Sequence, residues 1–137
     1  MSRQEGADPL GRVTLTLPFE ALSARRARRL LADYLVRAGA RAGLIQDAAL
    51  VISELVTNSV DHGRPHPDDG IEVSWDLDPS RLRLSVHDAG SGRIPVAQQV
   101  EPHASRGRGL AIVGALSAHW WVEQGDGTRV TAELPTG

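Results

Sequence analysis

Apolar residues stand at every second position in four segments of this chain, which is the spacing of strands that bury one face. The segments are Val13 to Leu17, Ile71 to Leu77, Leu82 to Val86 and Thr128 to Leu134. Turn residues at 78–80 and 125–127 predict two antiparallel hairpins, and 120–124 forms the first strand of the second hairpin. A sheet of this kind needs a second layer packed against its apolar face.

Helical spacing occupies the segment after the first strand. Ser23 is suited to an N-cap, and Gly39 is suited to the end of a helix. Between them, apolar residues recur every three or four positions, at Ala24, Ala27, Leu31, Leu35 and Ala38. The basic run Arg25–Arg29 is predicted to lie on the outward face of this helix, as a solvated surface or a contact for an acidic partner.

Two more helices are expected, one from about Leu44 or Asp47 to Asp61 and a short one over 110–117. Residues 89–106 have no clear period and are predicted to form a long loop, which is either functional or disordered. Together these segments predict an α+β fold, a single-domain two-layer sandwich with a mostly antiparallel mixed sheet and helices on one face.

The composition of the 137 residues excludes several classes of protein. One domain over 12–137 is expected, preceded by a flexible tail over 1–11. There is no cysteine for disulfides, and all 15 basic residues are arginine, which excludes the lysine of a Walker A loop. A net charge of −2 and the lack of a long apolar run predict a cytoplasmic protein that binds neither nucleic acid nor membrane.

Glu54 and Asn58 are four positions apart, so they share one face of the second helix. The amide oxygen of Asn58 suits a magnesium ion, which prefers oxygen ligands. Glu54 is then placed to take the proton of an attacking hydroxyl or water. The alternative is that both side chains belong to a solvated flank of the helix.

Asp88 is in phase with Leu84 and Val86, which predicts that its side chain points to the core side at the end of its strand. A buried carboxylate needs a partner, and the exocyclic amine of adenine would be one. Gly90 and Gly92 would let the backbone approach the base. The alternative is a structural Asp that opens a glycine turn.

The motif Gly107-Arg108-Gly109-Leu110 leads into the predicted helix that begins at Leu110, and open backbone amides at a helix start attract phosphate. The alternative for this segment is a flexible loop end with a glycine N-cap. Thr128 is in phase with Val130, so its hydroxyl is expected to point inward, either to a ligand or as an ordinary core threonine.

In this order, the motifs resemble the nucleotide-binding domain shared by sensor histidine kinases, gyrase-type ATPases and anti-sigma-factor serine kinases, known as the GHKL or Bergerat fold. The resemblance covers about residues 12–135. Four motifs carry it: Glu54-x-x-x-Asn58 is similar to the N box, Asp88-x-Gly90-x-Gly92 and Gly107-Arg108-Gly109-Leu110 to the two glycine boxes, and Gly127-Thr128 to a late threonine motif.

Histidine kinases need a helical phosphoacceptor module and gyrase-type enzymes need a transducer domain, and we expect neither in this chain. The sequence is therefore most similar to stand-alone anti-sigma-factor serine/threonine kinases. That resemblance implies ATP and Mg2+ as cofactors, an anti-sigma-factor antagonist as the phosphorylated partner, binding of a sigma factor, and a homodimer.

The chain departs from the family pattern at Asp61, where family members commonly carry Lys or Arg. An acid beside a triphosphate is unfavourable unless it points away or pairs with an arginine, and Arg106 or Arg108 could supply the positive charge. Three hypotheses follow. The first is a kinase with Glu54 as the base, the second a non-catalytic switch in which nucleotide orders residues 93–106, and the third an interaction module with an inactive site.

Overall fold

A computed structural model describes residues 11–66, 70–90 and 108–137, without the side chains of residues 108 and 109. The expected N-terminal tail falls outside these ranges except for Gly11, and the loop predicted over 89–106 does so except for Ala89 and Gly90. In the described ranges the elements follow in this order: β1 Val13–Pro18, α1 Leu22–Arg37, α2 Ala42–His62, β2 Gly70–Leu77, β3 Arg81–Asp88, α3 Arg108–Leu116, β4 His119–Gly125 and β5 Gly127–Pro135.

The strands form one five-stranded sheet in the order β1-β2-β3-β5-β4. Both predicted hairpins are present, β2 with β3 and β4 with β5, and β3 pairs with β5 to join them. Each neighbouring pair is antiparallel. The predicted α+β sandwich is therefore confirmed, with no parallel pair among the strands that the structure describes.

The core lies between the apolar face of the sheet and the helices. Alternate residues of the central strands β3 and β5 are buried on that face, as their period predicts. The helices supply the facing layer, and α1 buries Ala27, Leu31 and Leu35. The arginines at 25, 26, 28 and 29 are exposed on α1, so the predicted outward position of the basic run is confirmed.

Two helix starts differ from the sequence prediction. Ser23 is not the N-cap of α1, because Ala21 holds that position. The hydroxyl of the buried Ser23 instead donates to the carbonyl of Pro18 at 2.5 Å, which satisfies a strand-end acceptor. The helix α2 begins at Ala42, earlier than expected, because the chain is extended only as far as Arg41. The end of α1 is as predicted, with Gly39 at a φ of +78° just after the helix.

The third helix also starts earlier than predicted, at Arg108, and ends at Leu116. Its start lies within the glycine motif, so the motif and the helix N-terminus coincide. None of the helices in the described ranges is long and apolar enough to cross a membrane.

Candidate functional site

Asp88 is the last residue of β3, and it lies opposite Thr128 of β5 across the ladder. Asp88 is only 5% exposed, and Thr128 is 7% exposed. The sequence prediction that both side chains point to the core side is confirmed. The central pair of strands therefore ends in a buried carboxylate beside a buried hydroxyl.

Two donors hold the Asp88 carboxylate. The hydroxyl of Ser59, on α2, donates to Oδ2, and the backbone N–H of Gly90 donates to Oδ1 at 2.6 Å. An ionised carboxylate accepts hydrogen bonds only and has about four acceptor positions on its two oxygens. The two contacts therefore leave acceptor capacity for a further donor.

Gly63 brings the end of α2 against this carboxylate. Its backbone N–H donates to the carbonyl of Ser59 at 2.7 Å, closing the helix. A Cβ at position 63 would overlap the carboxylate of Asp88, so any side chain here would displace that carboxylate. Just beyond the strand, the N–H of Ala89 donates to the carbonyl of Arg64 at 2.9 Å, which ties the two chain segments together.

Gly90 has the positive φ of +85° that glycine adopts without strain. A Cβ at this position would also lie 3.2 Å from Oγ1 of Thr128. The N–H of Gly90 points back to the carboxylate of Asp88, two residues earlier. Ser91 and Gly92, the rest of the predicted glycine turn, lie outside the described residues. The contact with Gly90 is compatible with both interpretations of Asp88, as a structural residue and as part of a binding site.

These groups line one cleft between α2 and the ends of β3 and β5. Its apolar walls come from Leu55, Val86 and Val130, and Asp88 supplies a charged acceptor. The remaining lining residues are Asn58, Ser59, His62, Gly63 and Thr128. Apolar walls with a few converging polar groups are typical of small-molecule sites.

Of the N-box pair Glu54 and Asn58, only Asn58 lines this cleft. Asn58 is half-buried and lines it, so it belongs to the edge of the cleft. Glu54 is also half-buried but lies one turn earlier on the same helix face, about 6 Å away along the axis. Asp61 is exposed and is not among the described residues that line the cleft.

The second glycine motif is described only in part. Gly92, Arg106 and Gly107 lie outside the described residues, and for Arg108 and Gly109 the structure gives the backbone, in the first turn of α3. Leu110 is 4% exposed and belongs to the hydrophobic core. Its buried side chain anchors the start of this helix to the rest of the domain.

The sequence prediction missed three residues of the cleft: Ser59, His62 and Gly63. The signal for Ser59 was a serine four positions after Leu55, on the apolar stripe of α2. A buried hydroxyl needs a partner, so that position alone marks a polar contact. No local pattern identifies Asp88 as the partner, because it is 29 positions further along the chain.

Comparison with known proteins places this arrangement in a family. The pattern of the histidine kinase-like ATPase domain matches residues 17–134. The chain belongs to the histidine kinase-like ATPase domain family. This confirms the resemblance inferred from the motifs.

Two relatives of this histidine kinase-like ATPase domain have named functions. An anti-sigma F factor from Clostridium beijerinckii is 29% identical over 96 residues, covering 63% of this chain and 67% of the relative. A serine-protein kinase RsbW from Listeria monocytogenes is 29% identical over 117 residues, covering 77% of this chain and 74% of the relative.

Two solved structures are similar to this ATPase domain. One contains the RsbU and RsbW domains of Rv1364c from Mycobacterium tuberculosis, with a TM-score of 0.69 and 29% identity over 90% of this chain. The other is the histidine kinase domain of the blue-light-activated kinase EL346 from Erythrobacter litoralis, with a TM-score of 0.51 and 20% identity over 88% of this chain, which supports the fold alone. This chain spans 32% of the first structure's length and 62% of the second's.

Proposed function

We propose that this chain is an ATP-dependent protein serine/threonine kinase that phosphorylates an anti-sigma-factor antagonist and thereby controls a sigma factor. The observation that carries the proposal is the buried Asp88 carboxylate, held by two donors in a cleft of a histidine kinase-like ATPase domain. The relatives named anti-sigma F factor and serine-protein kinase RsbW support the kinase branch of the family.

The groups that line the cleft suit the amino edge of adenine. The acceptor positions of Asp88 that Ser59 and Gly90 leave free would receive the exocyclic amine, while Leu55 and Val86 offer apolar contact to the ring. Gly92 would lie beside the base, and the hydroxyl of Thr128 would add a polar contact at the same strand end.

A single oxygen ligand on Asn58 fits Mg2+. This ion usually keeps several waters and is shared between a few protein oxygens and the phosphates of the nucleotide. Among the described residues, no three His, Cys, Asp or Glu side chains lie close enough together to hold a metal ion. We therefore propose that Asn58 shares the ion with the nucleotide phosphates and water. When bound, Mg2+ would neutralise charge on the phosphates.

The triphosphate would meet the backbone amides of residues 107–110 at the start of α3, as the second glycine motif implies. Arg106 and Arg108 would supply positive charge on that side. Asp61 is exposed and does not line the cleft. We propose that its side chain points away from the phosphates, so that its charge is compatible with a bound triphosphate.

Glu54 would act as the general base. It would take the proton of a serine hydroxyl on the antagonist as that oxygen attacks the γ-phosphorus, and ADP would leave. Its place one turn from Asn58 puts base and metal ligand on one helix face. We also propose, from the family resemblance, that residues 12–137 act as the domain unit, in a cytoplasmic homodimer.

The direct test incubates the purified chain with ATP labelled at the γ-phosphate, Mg2+ and candidate antagonist proteins. We expect label on a serine or threonine of one candidate. If no candidate is labelled although the same preparation binds ATP, the kinase assignment is wrong and only the proposal of nucleotide binding remains.

A further inference from the structure

We propose that Ser59 is a positioning residue that sets how the Asp88 carboxylate meets a purine, so that the site discriminates in favour of a 6-amino group. The inference rests on the proposed ATP-binding function and adds a residue to it. It assigns Ser59 a role in ligand specificity rather than in helix packing alone.

Ser59 is a buried polar residue on α2. It is 5% exposed and lies on the same helix face as Leu55, which is 1% exposed. A hydroxyl buried in this way loses its hydration, so its hydrogen bond to a protein partner must compensate for that loss. Its partner is Oδ2 of Asp88, a charged acceptor, and hydrogen bonds to charged groups are stronger than those between neutral groups.

The geometry holds the carboxylate from both sides. Ser59 donates to Oδ2, and the N–H of Gly90 donates to Oδ1 at 2.6 Å. Gly63 closes the space on the helix side, where even a Cβ would overlap the carboxylate. With one donor on each oxygen and the helix end behind it, the carboxylate cannot rotate freely about its last bond.

This orientation has a consequence for the ligand. An ionised carboxylate has only acceptor positions, and the donors from Ser59 and Gly90 fix the direction in which the free positions face the cleft. A 6-amino purine presents a donor to these positions, whereas a 6-oxo purine presents an acceptor. Without the Ser59 hydroxyl, the carboxylate would rotate and the amine would lose a fixed acceptor.

The test compares ATP with the purine riboside triphosphate that carries hydrogen in place of the 6-amino group. Calorimetric affinities for both ligands are measured on the wild type, Ser59→Ala and Ser53→Ala. Ser53 is the matched control, because it is a buried serine of the same helix that does not line the cleft.

We expect the wild type to prefer ATP over the analogue by at least tenfold. Ser59→Ala should weaken ATP binding about tenfold, which corresponds to about 1.4 kcal/mol, while leaving analogue binding within about twofold. Ser53→Ala should change neither affinity by more than about twofold. A positioning role is identified by a loss of affinity at Ser59→Ala that depends on the 6-amino group of the ligand, and not by a loss of affinity alone.

Each other outcome contradicts the inference in a distinct way. If Ser59→Ala weakens both ligands equally, Ser59 is only structural and the ATP-binding function stands. If the wild type binds both ligands equally, Asp88 does not read the amine, and if it binds neither, the proposed function fails as well. Should Ser59→Ala not fold, Ser59→Cys keeps the side-chain volume with a much weaker donor, and the same loss of preference for ATP is expected.

Discussion

At the scale of single residues, the position of the Asp88 carboxylate depends on Gly63, which packs against it. Because a Cβ at position 63 would overlap the carboxylate, Gly63→Ala should displace it from its donors. We expect a loss of stability of about 1–3 kcal/mol, the usual cost of overpacking, and a loss of ATP affinity of at least about tenfold.

Urea unfolding and calorimetric titration with ATP measure the two effects. Gly125→Ala is the matched control, because a Cβ there has nothing within 4 Å. If Gly63→Ala and Gly125→Ala both bind ATP as the wild type does, the carboxylate is not held against the end of α2 as described.

Substitutions of Glu54 and Asp88 are predicted to have different effects on phosphoryl transfer and on ATP binding. Glu54→Ala should lower phosphoryl transfer by about 100-fold or more, the usual effect of removing a general base, while the affinity for ATP stays within about twofold. Asp88→Asn should abolish both, because it replaces an acceptor-only group with one that also donates. Labelled transfer and titration on the same preparations test this. If the two variants lose binding and transfer together, Glu54 is not the base.

The positions of Asp88 and Thr128 could be predicted because each is in phase with an apolar strand. The contact with Ser59 could not, because it joins a helix to a strand end across 29 positions, and strand periodicity says nothing about which helix residue comes near. For the segment around Gly63, the sequence predicts only that the second helix ends at Asp61. The steric role of Gly63 depends on the carboxylate behind it, which belongs to another element.

At the scale of elements, the β2–β3 turn is organised by one carboxylate. Oδ1 of Asp78 accepts from the N–H of Ser80 at 2.8 Å, and from the Ser80 hydroxyl and the N–H of Arg81 at 2.9 Å each. The backbone hydrogen bond from Ser80, then that from Arg81 and the Ser80 hydroxyl, hold the pKa of Asp78 below its ordinary value.

A lowered pKa in the folded state means that folding favours the ionised carboxylate. Its contribution to stability is therefore complete above the unfolded pKa, about 3.9, and is lost as the pH falls through the folded value. We expect Asp78→Asn, which keeps an acceptor but not the charge, to be less stable than the wild type at pH 7. The two should converge on acidification below about pH 4.

Thermal unfolding of both proteins over a pH series measures this difference. A gap in melting temperature that stays constant from pH 7 to well below pH 4 would mean that the charge of Asp78 does not contribute to the turn.

Element boundaries show where local patterns are insufficient. The turn residues predicted both hairpins, because Asp, Pro, Ser and Gly have strong local preferences there. Ser23 was wrongly predicted as an N-cap, because its propensity for that position is outweighed by a tertiary contact, the hydrogen bond to Pro18. The start of α2 is set by the extended Arg41, for which the sequence carries no cap signal.

At the scale of the whole molecule, the two periods of apolar residues were sufficient to predict a sheet covered by helices. They did not predict the strand order, in which β3 pairs with β5 although α3 and β4 lie between them in sequence. That pairing depends on which apolar faces pack together, a non-local choice. It is also the pairing that places Asp88 opposite Thr128 and so forms the end of the cleft.

ATP binding by the intact chain is the claim on which the other proposals depend, and thermal unfolding with and without nucleotide tests it most directly. At about 100 times the Kd, ATP with Mg2+ should stabilise the wild type by about 2.7 kcal/mol, which raises the Tm of a domain of this size by on the order of 10 °C. Asp88→Asn should show no such shift. An unchanged wild-type Tm at saturating ATP, with and without Mg2+, would contradict the account.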